Sequence, residues 1–137
     1  DRAESACHTI RTKVDTAQVT AANASRPSDC EALCQNATMV VAAGAAGVCF
    51  LEPGALQKIQ GLKLVIDLNA VPPAGIPDID VTDKGAEKSG MICYGAVGVG
   101  GLKMKVHRKA IAALFESNDR VLEIRGIYDL AVQVAGF

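Results

Sequence analysis

Three apolar runs, TMVVAAGA (38–45), LKLVIDLNA (62–70) and MICYGAVGVGG (91–101), constrain this chain more than any other feature. The first two are continuous, as in strands covered on both faces, and the third reads as a strand running into a glycine-rich turn. Helical patterns separate them. Residues 2 to 13 place Ala3, Ala6, Cys7 and Ile10 on one helix face, and LKMKVHRKAIAALFES (102–117) repeats the pattern at Leu102, Val106, Ala110, Ala113 and Leu114. Ser28, with Glu31 three residues on, predicts a capped helix over 28–36 after a short strand at QVTAANA (18–24). ALQKIQ resumes a helical pattern after Pro53 and Gly54, and a last helix begins at about Ile124. The breakers Pro72, Pro73, Gly75, Pro77 and Gly85 make 69–85 a structured loop. Strand and helix alternating in this way predict parallel strands joined by right-handed crossovers, hence an α/β open sheet with helices on both faces.

Composition agrees with that architecture and narrows the partners. The 137 residues are 50% hydrophobic and 4% aromatic without Trp, which suits closely stacked helix-on-sheet layers in one domain. The net charge is −1 and the basic residues are scattered between Arg2 and Arg125, so nucleic acid is not an expected partner. No run of about 18 apolar residues offers a membrane span. Cys7, Cys30, Cys34, Cys49 and Cys93 form neither a CxxC pair nor a disulfide framework, and read as reduced thiols of a cytoplasmic protein. Cys30 and Cys34 are four apart but lack a second ligand pair, and His8 and His107 stand alone, so no metal is assigned. The chain opens on Asp1 inside a helical pattern with no strand before it, as a piece of something longer would.

In open α/β sheets ligands bind outside the carboxyl ends of the strands, where loops diverge. Three segments qualify: Ala43 to Ala46, Asn69 to Gly75, and Gly95 to Gly101. Gly95, Gly98, Gly100 and Gly101 fit neither GxGxxG nor GxxxxGK[ST], so they are open to a steric role as well as to phosphate binding. Lys103 and His107 fall one turn apart on one helix face, able to hold a carbonyl-bearing heterocycle or to form part of a solvated basic face. Asn69 could bind a carboxamide or satisfy its own turn. Asp67 lies within a strand and Asp78, Asp80 and Asp83 follow in the loop; the spacing does not match a calcium loop, and the loop aspartates read as solvated carboxylates.

Taken together, DLNAVPPAGI (67–76), VTDKG (81–85), YGAVGVGGLKMKVHRKAIAALFES (94–117) and IYDLA (127–131) resemble the NADP-dependent methylene-tetrahydromethanopterin dehydrogenases of methylotrophic bacteria. The resemblance implies that residues 1–137 are part of an NADP-binding Rossmann-like domain, including its carboxyl-terminal helix and lacking the first strands. It implies hydride transfer from methylene-tetrahydromethanopterin, or its folate analogue, to NADP or in some relatives NAD, without a metal. Lys103 and His107 would face the reduced pterin, Lys103 bonding its carbonyl, while Ala43, Gly44, Ala45, Asn69 and Gly98 would line the cofactor. It also implies a pterin-binding domain, a first strand, a glycine-rich pyrophosphate turn and phosphate-selecting basic residues ahead of Asp1. These 137 residues alone are then expected to bind NADP poorly, to lack activity, to need that amino-terminal part as a partner, and to form a homo-oligomer. Two rivals remain: a non-catalytic nucleotide- or pterin-binding module, and an assembly domain whose glycines pack against a neighbouring subunit.

Overall fold

A computed structural model describes residues 1–136. Helix α1 (Arg2–Lys13) is capped by Asp1, whose carboxylate accepts the Ala3 N–H at 2.7 Å. Helix α2 (Pro27–Leu33) precedes strand β1 (Met39–Ala42), and a single 3-10 turn (Leu56–Lys58) separates β1 from β2 (Leu64–Asp67). Strands β3 (Lys84–Lys88) and β4 (Met91–Tyr94), then helices α3 (Ala96–Leu114) and α4 (Ile124–Ala135), complete the order. The sheet runs β1-β2-β4-β3, with β1, β2 and β4 parallel, and is a Rossmann-like open α/β sheet.

Four local expectations are revised. Residues 18–24 form no strand: Arg11 donates to the Val19 carbonyl at 2.7 Å, and β1 pairs only with β2. Helix α2 starts at Pro27, whose fixed φ suits a first helical position, and not at Ser28. Asp29 accepts the Arg26 backbone N–H at 3.0 Å and its guanidinium at 2.8 Å, and the guanidinium chiefly holds its carboxyl below the usual range. The expected helix after Gly54 contracts to the 3-10 turn, closed by Gly61 at φ 79°. Finally, the end of the supposed loop is strand β3, antiparallel to β4, so the sheet is mixed. Ser89 and Gly90, both at positive φ, make the two-residue turn between them.

Two separate apolar cores result. One face of the sheet turns Ala42, Val65, Met91 and Cys93 inward, against Leu51, Ala55, Leu56, Ile59, Ile76 and Ile79, with Cys30 and Cys34 of α2 at its margin. Burial of a side chain such as Leu56 contributes about 1.5–3 kcal/mol. The second core joins α3 to α4 through Val106, Ala110 and Leu130, flanked by Leu122, Ala131 and Val134. The other face of the sheet presents Met39, Leu64 and Ile92 in one register row and Val41, Ile66 and Tyr94 in the next, all at least partly exposed.

Candidate functional site

Strand β1 ends at Ala42, and the next residues, Ala43 and Gly44, line a cavity of about 230 Å³ with Val40, Phe50, Cys34 and Ile76. Small side chains leave this strand end open, and the Phe50 ring enters the space: a Cβ at Gly44 would overlap Phe50 Cζ. Ala45 follows in an exposed turn and does not line the cavity.

The end of β2 is built by a residue not singled out as functional from the sequence. Asp67, only 2% exposed, accepts the Asn69 N–H through Oδ1 at 2.9 Å and the Ile76 N–H through Oδ2 at 2.8 Å. One buried carboxylate thus clamps both ends of the loop NAVPPAGI, which contains a cis Pro72–Pro73 bond. The Phe50 N–H donates to the Gly75 carbonyl at 2.7 Å, tying the loop after β1 to the loop after β2. The signal was present: an aspartate two residues before a backbone N–H in a proline-rich turn is the Asx arrangement.

Because Asp67 satisfies the turn, Asn69 does not have to. Its side chain is buried at 6% exposure, and Nδ2 has no hydrogen-bond partner. A buried unpaired amide costs about 1–3 kcal/mol, which selects against it unless something else accepts the bond. The nearest heavy atoms to a Cβ placed on Gly75 would be Asn69 Nδ2 at 2.5 Å, Asp67 Oδ1 at 2.9 Å and Phe50 Cδ2 at 3.1 Å. Ala43, Gly44 and Asn69 are therefore brought together around Phe50.

Lys103 and His107 form a second group. Both are exposed on α3 and rim a groove of about 460 Å³ whose floor is Val99, Leu102, Val106, Ala110, Ile127 and Ala131. The glycines before them are not a turn: Gly95 caps α3, and Gly98, Gly100 and Gly101 lie within its first turns. Gly98 abuts the backbone of Asp83, whose carbonyl a Cβ would overlap, so it serves the close docking of α3 on the loop before β3. Among the described residues none lines both hollows.

The loop aspartates have protein partners. The Asp78 carboxylate accepts the Gly54 N–H at 3.0 Å, and Asp83, with its side chain 10% exposed, pairs with Lys88 at 2.5 Å. The Thr82 hydroxyl, aided by its backbone N–H, holds the Asp80 carboxyl below its usual range. Asp78 and Asp83 are thus held within the protein and are not solvated loop carboxylates. Among the described residues no three metal-ligating side chains cluster, and no helix is long and apolar enough to cross a membrane. Cys30 and Cys34 are unpaired; burial, with Cys30 alongside, pushes the Cys34 thiol up.

The fold and the cavity define a class: a Rossmann-like α/β unit with a hollow at the carboxyl end of its parallel strand β1, the end where such sheets take ligands. Within it, the chain is similar to two proteins of one organism. It is 45% identical, over 98% of its length, to the "Bifunctional protein MdtA" of Methylorubrum extorquens. It is 33% identical, over 86% of its length, to the "NAD(P)-dependent methylenetetrahydromethanopterin dehydrogenase" of the same organism. The chain spans 46% and 41% of those two proteins, so the resemblance read from its motifs holds for less than half of each. No family model matches the chain.

Proposed function

We propose that the chain forms part of a one-carbon oxidoreductase that transfers a hydride from a methylene-bearing reduced pterin to a nicotinamide dinucleotide, NADP being the expected acceptor. The observation that carries this reading is the unpartnered Asn69 amide at one edge of the Phe50 ring, whose tip lies against the small-residue strand end at Gly44. That combination fits a flat ring bearing a carboxamide: small residues admit the ring, and the amide donates to its carbonyl. The dehydrogenase named above supports a nicotinamide cofactor.

When bound, the nicotinamide supplies the hydride acceptor. The chain's own residues orient the partners, which is the main requirement of hydride transfer. Asn69 fixes the rotation of the carboxamide, Gly44 admits the ring, and Ala43 and Ala45 shape the strand end. Lys103 donates from Nζ to the pterin carbonyl, with His107 one turn on along the same groove. Apolar residues such as Leu102 and Ile127 keep water from the face of the ring. Gly98 contributes by seating α3, and the remaining length of the protein, together with a second copy in an oligomer, completes the enclosure of both ligands. The setting is the cytoplasm.

The test is NADP and NAD reduction by the full-length protein with methylene-tetrahydromethanopterin and with methylene-tetrahydrofolate. Lys103→Ala is expected to lower kcat/KM by about 10–100-fold through lost orientation, with Lys103→Arg restoring part. Wild-type kinetics in Lys103→Ala would remove the lysine from the mechanism. A second reading, binding without turnover, draws on the separation of the two hollows. Calorimetric binding of both ligands with no hydride transfer distinguishes it.

A further inference from the structure

The Phe50 ring occupies the place where the proposed cofactor ring must arrive. Its tip lies against Gly44, on the end of β1, and its Cδ2 edge faces Gly75, where the Asn69 amide also points. Phe50 also lines the cavity shared by Ala43 and Gly44. The backbone on either side is held: the Phe50 N–H is bonded to the Gly75 carbonyl at 2.7 Å, and the Cys49 thiol donates to the Leu51 carbonyl at 3.0 Å. The ring is thus a half-buried side chain on a backbone held on either side of it.

We propose that Phe50 is a ligand-displaced plug over a carbonyl-recognition point made by the Asn69 amide. This rests on the cofactor reading above and adds a selectivity device to it. With the ring seated, apolar contact covers the strand end and Asn69 Nδ2 goes without a partner. A flat heterocycle carrying a carboxamide displaces the ring and accepts the Asn69 N–H, so the bond missing in the closed arrangement is formed only with the right ligand. A flat ring without a carbonyl would displace Phe50 and gain no bond at the amide to offset the lost ring contacts, so it binds more weakly than one with a carboxamide. Gly44 and Gly75 are the walls of the seat: a side chain on Gly44 would evict the ring, and one on Gly75 would press chiefly on the Asn69 amide.

The experiment compares, by calorimetry on the full-length protein, the dinucleotide that the wild type binds (NADP or NAD) with the matching ADP-ribose lacking nicotinamide. Removing a competing closed state raises apparent affinity by the inverse of the open fraction. Phe50→Ala is therefore expected to lower the dinucleotide Kd by about 3–10-fold, leaving the ADP-ribose Kd within about twofold. Phe50→Leu should move it less, in the same direction, and serves if the alanine variant does not fold. Asn69→Leu should raise the dinucleotide Kd by about tenfold or more, again sparing ADP-ribose. A selective loss of dinucleotide affinity in the Phe50 variants, equal changes for both ligands, or no change overturns the plug. Failure of the wild type to bind either dinucleotide overturns the cofactor reading itself, and the plug with it.

Discussion

Replacing Asp67 by asparagine tests whether one buried carboxylate organises the strand end. In the native fold its two oxygens accept from Asn69 N and Ile76 N at 2.9 and 2.8 Å, and the residue is 2% exposed. Asparagine keeps the shape but offers one acceptor, so one N–H must face an NH₂ group. A hydrogen bond to a charged acceptor contributes about 1.5–3 kcal/mol, and the neutral amide recovers some desolvation cost, so Asp67→Asn should lose about 2 kcal/mol. Asp67→Ala leaves both N–H groups unpaired and should lose about 3–5 kcal/mol, a large share of the ~5–15 kcal/mol that stabilises a domain. With no Trp, the assay is urea unfolding followed by far-ultraviolet circular dichroism. For an m value of about 2 kcal/mol/M, the midpoint falls by ~1 M for asparagine and ~2 M for alanine. A midpoint for Asp67→Asn within about 0.2 M of wild type would refute the clamp, because the two N–H groups would then have found other acceptors.

Two further outcomes follow from the same packing. Gly98→Ala places a methyl against the Asp83 carbonyl, a backbone atom that cannot rotate away, and should cost about 1–3 kcal/mol, read as a lowered melting midpoint; Gly101→Ala, with open space around it, should not lower it. Burial and the neighbouring Cys30 raise the Cys34 thiol, so its contribution to stability is fully present below the unfolded thiol value of 9.0 and is lost as pH rises from there through the folded value. Urea midpoints measured from pH 8 to pH 10.5, roughly the range spanning thiol ionisation, should fall less steeply in Cys34→Ala than in wild type; parallel curves would rule this out.

The apolar runs announced β1, β2 and β4, but only one face of these strands is covered: Val65 and Cys93 are fully buried, whereas Met39, Val41 and Ile92 on the other face are exposed. Strand β3 was concealed because its sequence, KGAEK, is polar and lies at the edge, where burial imposes no pattern. Its trace was the Ser89–Gly90 pair, two residues that accept positive φ between Lys88 and Met91. The glycines after β4 invited a turn because glycine disfavours helix by about 1 kcal/mol relative to alanine; docking against Asp80, Val81 and Asp83 requires backbone-to-backbone contact at Gly95 and Gly98, and tertiary packing prevails. At the site, spacing identified Asn69, Lys103 and His107 as residues of interest. It could not reveal that Asp67 takes over the turn and leaves the Asn69 amide unpaired, because that depends on a carboxylate and an N–H nine residues apart meeting across a loop.

The existence of two cores bears directly on how a hydride could cross. Ala43, Gly44 and Asn69 belong with the sheet core, whereas Lys103 and His107 sit on the α3–α4 core, whose buried residues are drawn from neither strand nor α2. Hydride transfer needs the two rings about 3–3.5 Å apart, so the proposed chemistry depends on the angle at which α3 leaves the sheet. That angle is set where α3 begins, by Val97 N donating to the Val81 carbonyl at 2.7 Å and Gly95 N to the Asp83 carbonyl at 2.8 Å, with Gly98 pressed against the same loop. Lys88 in turn holds that loop through Asp83 and the Asp78 carbonyl. Under the dehydrogenase reading, a disturbance at Gly98 therefore lowers kcat while binding of the dinucleotide, which uses only the sheet side, persists. Under the binding-module reading there is no turnover to lose, so a wild-type kcat that falls in Gly98→Ala while the dinucleotide Kd holds decides for the dehydrogenase without touching any residue that contacts a ligand ring.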